Sequence, residues 1–283
     1  MKNTTSSLLI LLLSCIPCQH CQAAPAGEQL QFEVRSDERV QDWCERMEQN
    51  TRMEGACAQL DQIAQDRQMK RYAFLGPELL LRRRFEGMFR PGTYRFAANT
   101  DFHTVVLSLL DSAEQVYPRT DRYGLSPFQQ LTLASIAEKE AVSNKQYDRV
   151  VRVFLNRLQK GQTLGSCPTV EYALGFHRPF LLFKDLEIQS PYNVYKRKGL
   201  PPTPIAFFSD QALNAVAQPA DGDEVFFVYD WTTGQLEFSV EYGQHKRKAA
   251  IARQNFVQKY GRENMYRAFP DLYYSDIPVT ESR

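Results

Sequence analysis

Two carboxylates, Glu138 and Glu140, close an apolar run that extends from Leu131 through Ala137. A carboxyl group held among apolar neighbours is desolvated, which disfavours its charged form and raises its pKa toward the range useful for donating a proton near neutrality. Counted back in helical turns, Glu138 has Ala134 and Leu131 behind it, and Glu140 has Ile136 and Leu133. Either acid can project from an apolar stripe, so periodicity does not choose between them. The plain alternative is a pair of solvated residues at a helix end. No Ser-His-Asp pattern or Gly-rich phosphate loop accompanies them, and His20, His103, His177 and His245 show no ligand spacing, so no metal and no cofactor is expected.

The elements that must position these acids follow from caps and periodicity. Ser126 before Pro127 supplies a helix start, placing the acids at the end of a core-facing helix. A polar break from Ala141 to Gln146 precedes a second helix opened by Asp148, with apolar Val150, Val151, Phe154, Leu155 and Leu158, and ended by Gly161. Asn156 and Arg157 on that helix either brace the neighbouring carboxylates or face solvent. Residues 163 to 204 read as one long loop, and loops of that length in a compact domain are usually functional. It offers Tyr192 and Asn193, a flat stacking face and an amide such as a sugar site uses. Beyond it come a short helix from Ser209 to Val216, a hairpin of 224–229 with 236–240, and a basic amphipathic helix from Tyr242 to Tyr260 closed by Gly261. Upstream, residues 25 to about 70 carry a helical pattern through Val40, Trp43, Cys44 and Met47, extending to Leu60 and Ile63. A hairpin is expected over 85–96 about the Pro91-Gly92 turn, and a helix over 101–117.

The composition, 43% hydrophobic and 24% charged over 283 residues, excludes a disordered chain, and a net charge of +1 provides no field for nucleic acid. The basic cluster Arg82 to Arg84 reads as a solvated face. Residues 1–23 read as an export signal, with Lys2, the apolar stretch Leu8 to Leu13, and cleavage after Ala23. A lipobox-like Leu12-Leu13-Ser14-Cys15 offers Cys15 as a lipidated N-terminus instead. Export to an oxidising compartment permits a bridge between Cys44 and Cys57, with two separate buried thiols the equal alternative.

Taken in order, the motifs resemble the endolytic murein transglycosylase family, also called MltG or YceG-like. The likeness rests on residues 86–91, Ala134 to Glu140, Val153 to Leu158, Pro168-Thr169-Val170, Ser190 to Asn193, Gly199 to Pro202 and Phe226 to Val228. It implies an α+β fold: a lysozyme-like mixed catalytic domain over 119–283, with a small LysM-like accessory module over 25–118. It also implies that Glu138 is the catalytic acid of a lytic transglycosylase that cuts glycan strands of peptidoglycan. One carboxyl group would protonate the oxygen between N-acetylmuramic acid and N-acetylglucosamine, then take the proton of the muramyl C6 hydroxyl as that oxygen closes a 1,6-anhydro ring. No second carboxylate is obligatory in that chemistry. Tyr192 and Asn193 would hold the sugar and the Gly199 to Pro202 turn would shape the cleft floor, with Ser135, Glu140, Asn156, Thr169, Gly199 and Pro201 completing the substrate side. Peptidoglycan synthases, the penicillin-binding proteins, are the implied partners, and the periplasm or the periplasmic face of the inner membrane the implied location.

The chain departs from the family at Gly165-Ser166-Cys167, where Gln-Thr-Asp is usual, at Thr203 after the Leu-Pro-Pro turn, and at Gln235 and Leu236. Those changes leave open altered specificity, slow turnover, or a catalytically silent peptidoglycan-binding or division-scaffold protein. A muramidase using water in place of the C6 hydroxyl is a further alternative.

Overall fold

The computed structural model describes residues 29–49, 53–76, 78–141 and 146–268. The signal-like segment, with Cys15 and Ala23, lies outside the described residues. Strand β1 (Gln29–Val34) alternates outward polar residues with inward Leu30, Phe32 and Val34, as one buried face demands. Helices α1 (Val40–Glu48) and α2 (Ala56–Ala64) follow, and the Cys44–Cys57 disulfide joins them. The bridge settles the choice that the sequence left open.

Strand β2 (Gly92–Ala97) pairs antiparallel with β1, from Gln29 opposite Ala97 to Val34 opposite Gly92. This corrects the hairpin expected over 85–96. Residues 78–85 form 3-10 turns, and Phe85, Met88 and Phe89 are core plugs rather than strand residues. The basic cluster is also less solvated than expected. Arg84 is buried and donates to the carbonyls of Ala64 and Gly76, Arg82 pairs with Asp61, and Arg83 is exposed.

Helix α3 (Phe102–Glu114) begins at Asp101, whose carboxylate accepts from the Thr104 N–H. Helix α4 (Pro127–Glu140) starts in a reciprocal cap between Ser126 and Gln129, with Pro127 in its first turn. Every residue from Gln130 to Glu138 is buried, so α4 is a central helix with no wet face over that span. Around it pack α5 (Tyr147–Gln159), α6 (Cys167–Leu174) and α7 (Asp210–Ala217).

Helix α6 lies inside the stretch expected to be one long loop. Its local signals are ordinary ones: Ser166 before it, Pro168 in its first turn, and Gly175 at φ +80 closing it. The expected hairpin of β3 (Phe226–Asp230) and β4 (Gln235–Ser239) and the expected helix α8 (Tyr242–Tyr260) come next. Among the described residues, two small antiparallel sheets packed with helices make the fold α+β. Among the described residues no helix is long and apolar enough to cross a membrane.

The two halves of the chain share one core. Trp43 of α1 meets Phe89 at 5.1 Å, Phe102 at 6.0 Å and Phe207 at 6.5 Å between ring centroids. The backbones also interlock: Asp37 donates to the Phe207 carbonyl and Phe207 donates to the Glu38 carbonyl, both at 2.8 Å. Gly87 lets the two halves approach closely, because a Cβ there would lie 2.6 Å from the Cβ of Pro204. Residues 86–89 therefore sit directly beneath the 203–208 segment that flanks α4.

Candidate active site

Helix α4 carries both acids into protein, but to different partners. Glu138 is buried at 7% exposure, and its Oε2 accepts hydrogen bonds from the Ser209 N–H at 3.0 Å and the Ser209 hydroxyl at 2.7 Å. Its Oε1 accepts from the Tyr147 hydroxyl at 3.4 Å. Burial, reinforced by the nearby Glu138 charge, pushes Tyr147 up to about 12, so that phenol remains a donor. Ser209 is also the cap of α7, accepting from the Ala212 N–H at 3.3 Å. Glu138 thus ties α4 to the start of α7 and to α5, with both of its oxygens occupied.

Glu140, two residues on, turns toward the first turn of α6. The Ser166 hydroxyl donates to its Oε1 at 2.7 Å, and no protein hydrogen bond reaches its Oε2 among the described residues. Burial raises its carboxyl to about 7; the Ser166 hydrogen bond and Arg157 oppose the rise and Glu171 adds to it. Part of the residue still meets solvent. A carboxyl group with that balance carries a proton in about half of molecules at neutral pH and has an oxygen free to deliver it. That is the profile of a general acid.

The surroundings of Glu140 are poor in competing chemistry. Burial pushes the Cys167 thiol up to about 12, and the thiol lies 3.0 Å from the Tyr195 hydroxyl. Arg157 spends its donors on the carbonyls of Val225 and Leu164, which anchors the approach to β3. Glu171 is itself committed, accepting from the Arg178 N–H at 3.0 Å and lying 2.9 Å from His177 Nδ1.

The remaining expected residues fall mainly into bracing positions. Ser135 donates to the Thr132 carbonyl and accepts from the Ile205 N–H at 3.0 Å, so its hydroxyl is taken up in tying α4 to the 203–208 segment. Asn156 donates to the carbonyls of Gly222 and Glu224, both at 3.0 Å, bracing the entry to β3 and neither acid. The Thr169 hydroxyl donates to the Ser166 carbonyl within the first turn of α6. Tyr192 is 5% exposed, with its hydroxyl 2.8 Å from that of Thr203, and Asn193, at 1%, holds the Leu186 and Ile188 carbonyls and the Tyr195 N–H. These two residues shape the loop from inside. Gly199 stands at φ +87, which favours glycine, and Pro201 is buried.

Ser209, Tyr147, Glu171 and Tyr195 were not singled out from the sequence. Ser209 did have a signal, as the expected start of α7, but nothing local told that its hydroxyl also reaches Glu138. The partners that distinguish the two acids come from positions far along the chain, and periodicity carries no information about them.

A model of the YceG-like family matches residues 18–251 of the chain. The endolytic murein transglycosylase of Bacillus subtilis (strain 168) is 33% identical over 167 residues, covering 57% of this chain and 46% of that protein. The endolytic murein transglycosylase of Streptococcus pneumoniae serotype 2 (strain D39 / NCTC 7466) is 30% identical over 178 residues, covering 60% of this chain and 32% of that protein. The chain thus spans less than half the length of the curated relatives it matches. A crystal structure of a YceG-like protein from Listeria monocytogenes superimposes with a TM-score of 0.68 at 27% identity, covering 77% of this chain and 75% of that one.

Proposed function

This chain belongs to the YceG-like family, and from that premise we propose that it is an endolytic lytic transglycosylase of peptidoglycan with Glu140 as its acid. The resemblance of the sequence implied Glu138 for that role. The observation that favours the exchange is the contrast in contacts: Glu138 has donors on both oxygens, whereas Glu140 has, among the described residues, a donor on Oε1 alone and a carboxyl raised to about 7. Glu138 then serves as a structural tie that fixes the end of α4.

In this mechanism protonated Glu140 gives its proton to the glycosidic oxygen between N-acetylmuramic acid and N-acetylglucosamine as the bond to the anomeric carbon breaks. The resulting carboxylate takes the proton of the muramyl C6 hydroxyl, whose oxygen closes on the anomeric carbon, leaving a 1,6-anhydro end and regenerating the acid. The nucleophile belongs to the substrate, so no second protein carboxylate is required. The Ser166 hydroxyl, donating at 2.7 Å, steadies the carboxylate between the two transfers. Ser166 occupies part of the stretch where the family usually has Gln-Thr-Asp, and it retains a hydroxyl in the middle position.

The 190–204 loop, braced by Tyr192 and Asn193, shapes the sugar-binding wall in this reading. In the same reading the described residues within 119–268 are a lysozyme-like catalytic domain and those within 29–118 a small LysM-like module packed on the same core. Nascent glycan strands are the substrate, exported space is the working location, and peptidoglycan synthases are the neighbours. Digestion of purified peptidoglycan with analysis of the products by mass tests the reaction class. Anhydro-muropeptides from internal cleavage are expected. Reducing ends would indicate a hydrolase, and glycan binding without cleavage would indicate a silent scaffold.

A further inference from the structure

Glu86 is a buried acid that the mechanism above does not use. It is 1% exposed, its Oε1 accepts from the Val40 N–H at the start of α1 at 2.8 Å, and its Oε2 accepts from the Tyr172 hydroxyl on α6 at 2.9 Å. The Tyr172 ring lies against that of Tyr192 at 4.7 Å, and Tyr192 reaches Thr203. Helix α6 therefore has two attachments: its second turn to Glu86 through Tyr172, and its N-terminal edge to Glu140 through Ser166. The loop that contains Tyr192 also carries Tyr195, whose hydroxyl lies 3.0 Å from Cys167 on the first turn of α6.

We propose that Glu86 is a positioning residue for the catalytic acid, holding α6 and the 190–204 loop in register so that Ser166 and Tyr195 stand correctly around Glu140. The inference rests on the assignment of Glu140 made above. The charged and titratable groups facing Glu86 are Arg39 just before α1, Asp42 of α1, Tyr172 of α6 and Tyr192 of the loop, and Arg83 faces the two tyrosines. Burial raises Glu86 to about 7, so both of its charge states are populated near neutrality. The charged form accepts from Tyr172 in a charge-assisted bond, stronger than the one available to the neutral form. The hold on α6 is therefore tighter above pH 7 than below it.

The test uses the full chain with Glu86→Gln, which mimics the neutral acid, and Tyr172→Phe, which keeps the ring contact and removes the hydroxyl. In a substrate-free titration with ring-labelled tyrosine, the Tyr172 and Tyr192 signals should move together with a midpoint near pH 7 in the wild type and stay fixed in Glu86→Gln. The Tyr195 ring signal, which senses the charge of Glu140, should shift with pH in both proteins and serves as the reference. In peptidoglycan cleavage, Glu86→Gln should match the wild-type kcat within about twofold at pH 6 and fall about three- to tenfold below it at pH 8, with Tyr172→Phe cancelling that divergence. Tyrosine signals that titrate alike in wild type and Glu86→Gln, or superimposable pH profiles, would overturn the proposal. Should the wild type cleave nothing, the transglycosylase reading fails, while the titration still decides whether Glu86 governs the two tyrosines.

Discussion

Replacing Glu140 by Gln removes a carboxyl that the fold holds at a cost, and the consequence is measurable without any substrate. In the unfolded chain Glu140 titrates near 4.5, whereas burial brings it to about 7 in the folded protein. Between those values the folded state holds a proton that the unfolded state has released, so stability falls as pH rises. The contribution is fully present below pH 4.5 and is lost once pH has passed 7. The distance between the two pKa values corresponds to about 3 kcal/mol, or about 2 kcal/mol after discounting for the part of the side chain that meets solvent. The amide of Glu140→Gln cannot ionise and still accepts from Ser166, so it should escape that loss. Urea unfolding followed by circular dichroism should find the variant nearly equal to wild type at pH 4.5 and more stable by about 2 kcal/mol at pH 8. Parallel stability curves for the two proteins across that range would refute the reasoning, because the carboxyl would then titrate alike in the folded and unfolded chain.

Other perturbations probe the parts that hold the acid in place. Ser209→Ala removes both the cap of α7 and the 2.7 Å donor to buried Glu138, and thermal unfolding should show a loss of about 2–3 kcal/mol. Gly87→Ala would press a Cβ to 2.6 Å from Pro204 at φ +73, and denaturant titration should find a loss of about 2–4 kcal/mol together with impaired cleavage. Breaking the bridge with Cys57→Ser, which opens a loop of sequence separation 13, should cost about 2–4 kcal/mol, read by comparing unfolding of the variant and the oxidised wild type.

Helix α4 was legible because Ser126, Pro127 and a sustained apolar run are local signals, and α8 was legible because a basic amphipathic run ends in Gly261. The β3–β4 hairpin could be read for the same reason, since its strands pair across a short turn. The partner of β2 could not, because β1 lies far upstream across two helices and local alternation cannot distinguish a strand in a hairpin from one paired at long range. Helix α6 was missed in a segment whose prolines, tyrosines and glycines masked a short apolar face, although Ser166, Pro168 and Gly175 mark its ends. The choice between the acids was the least legible feature. Glu138 and Glu140 have equally apolar lines behind them, and what separates them is Ser209 on one and Ser166 on the other, contacts made only by the folded chain.

Glu140 moves the protons in this mechanism while Glu138 holds the helix. Initial rates of anhydro-muropeptide release from purified peptidoglycan by Glu140→Gln and Glu138→Gln, each verified as folded by circular dichroism, test this division of roles most directly. Glu140→Gln should lose at least about a hundredfold in rate, and Glu138→Gln should keep measurable release. Full release by Glu140→Gln alongside abolition by a folded Glu138→Gln would contradict it.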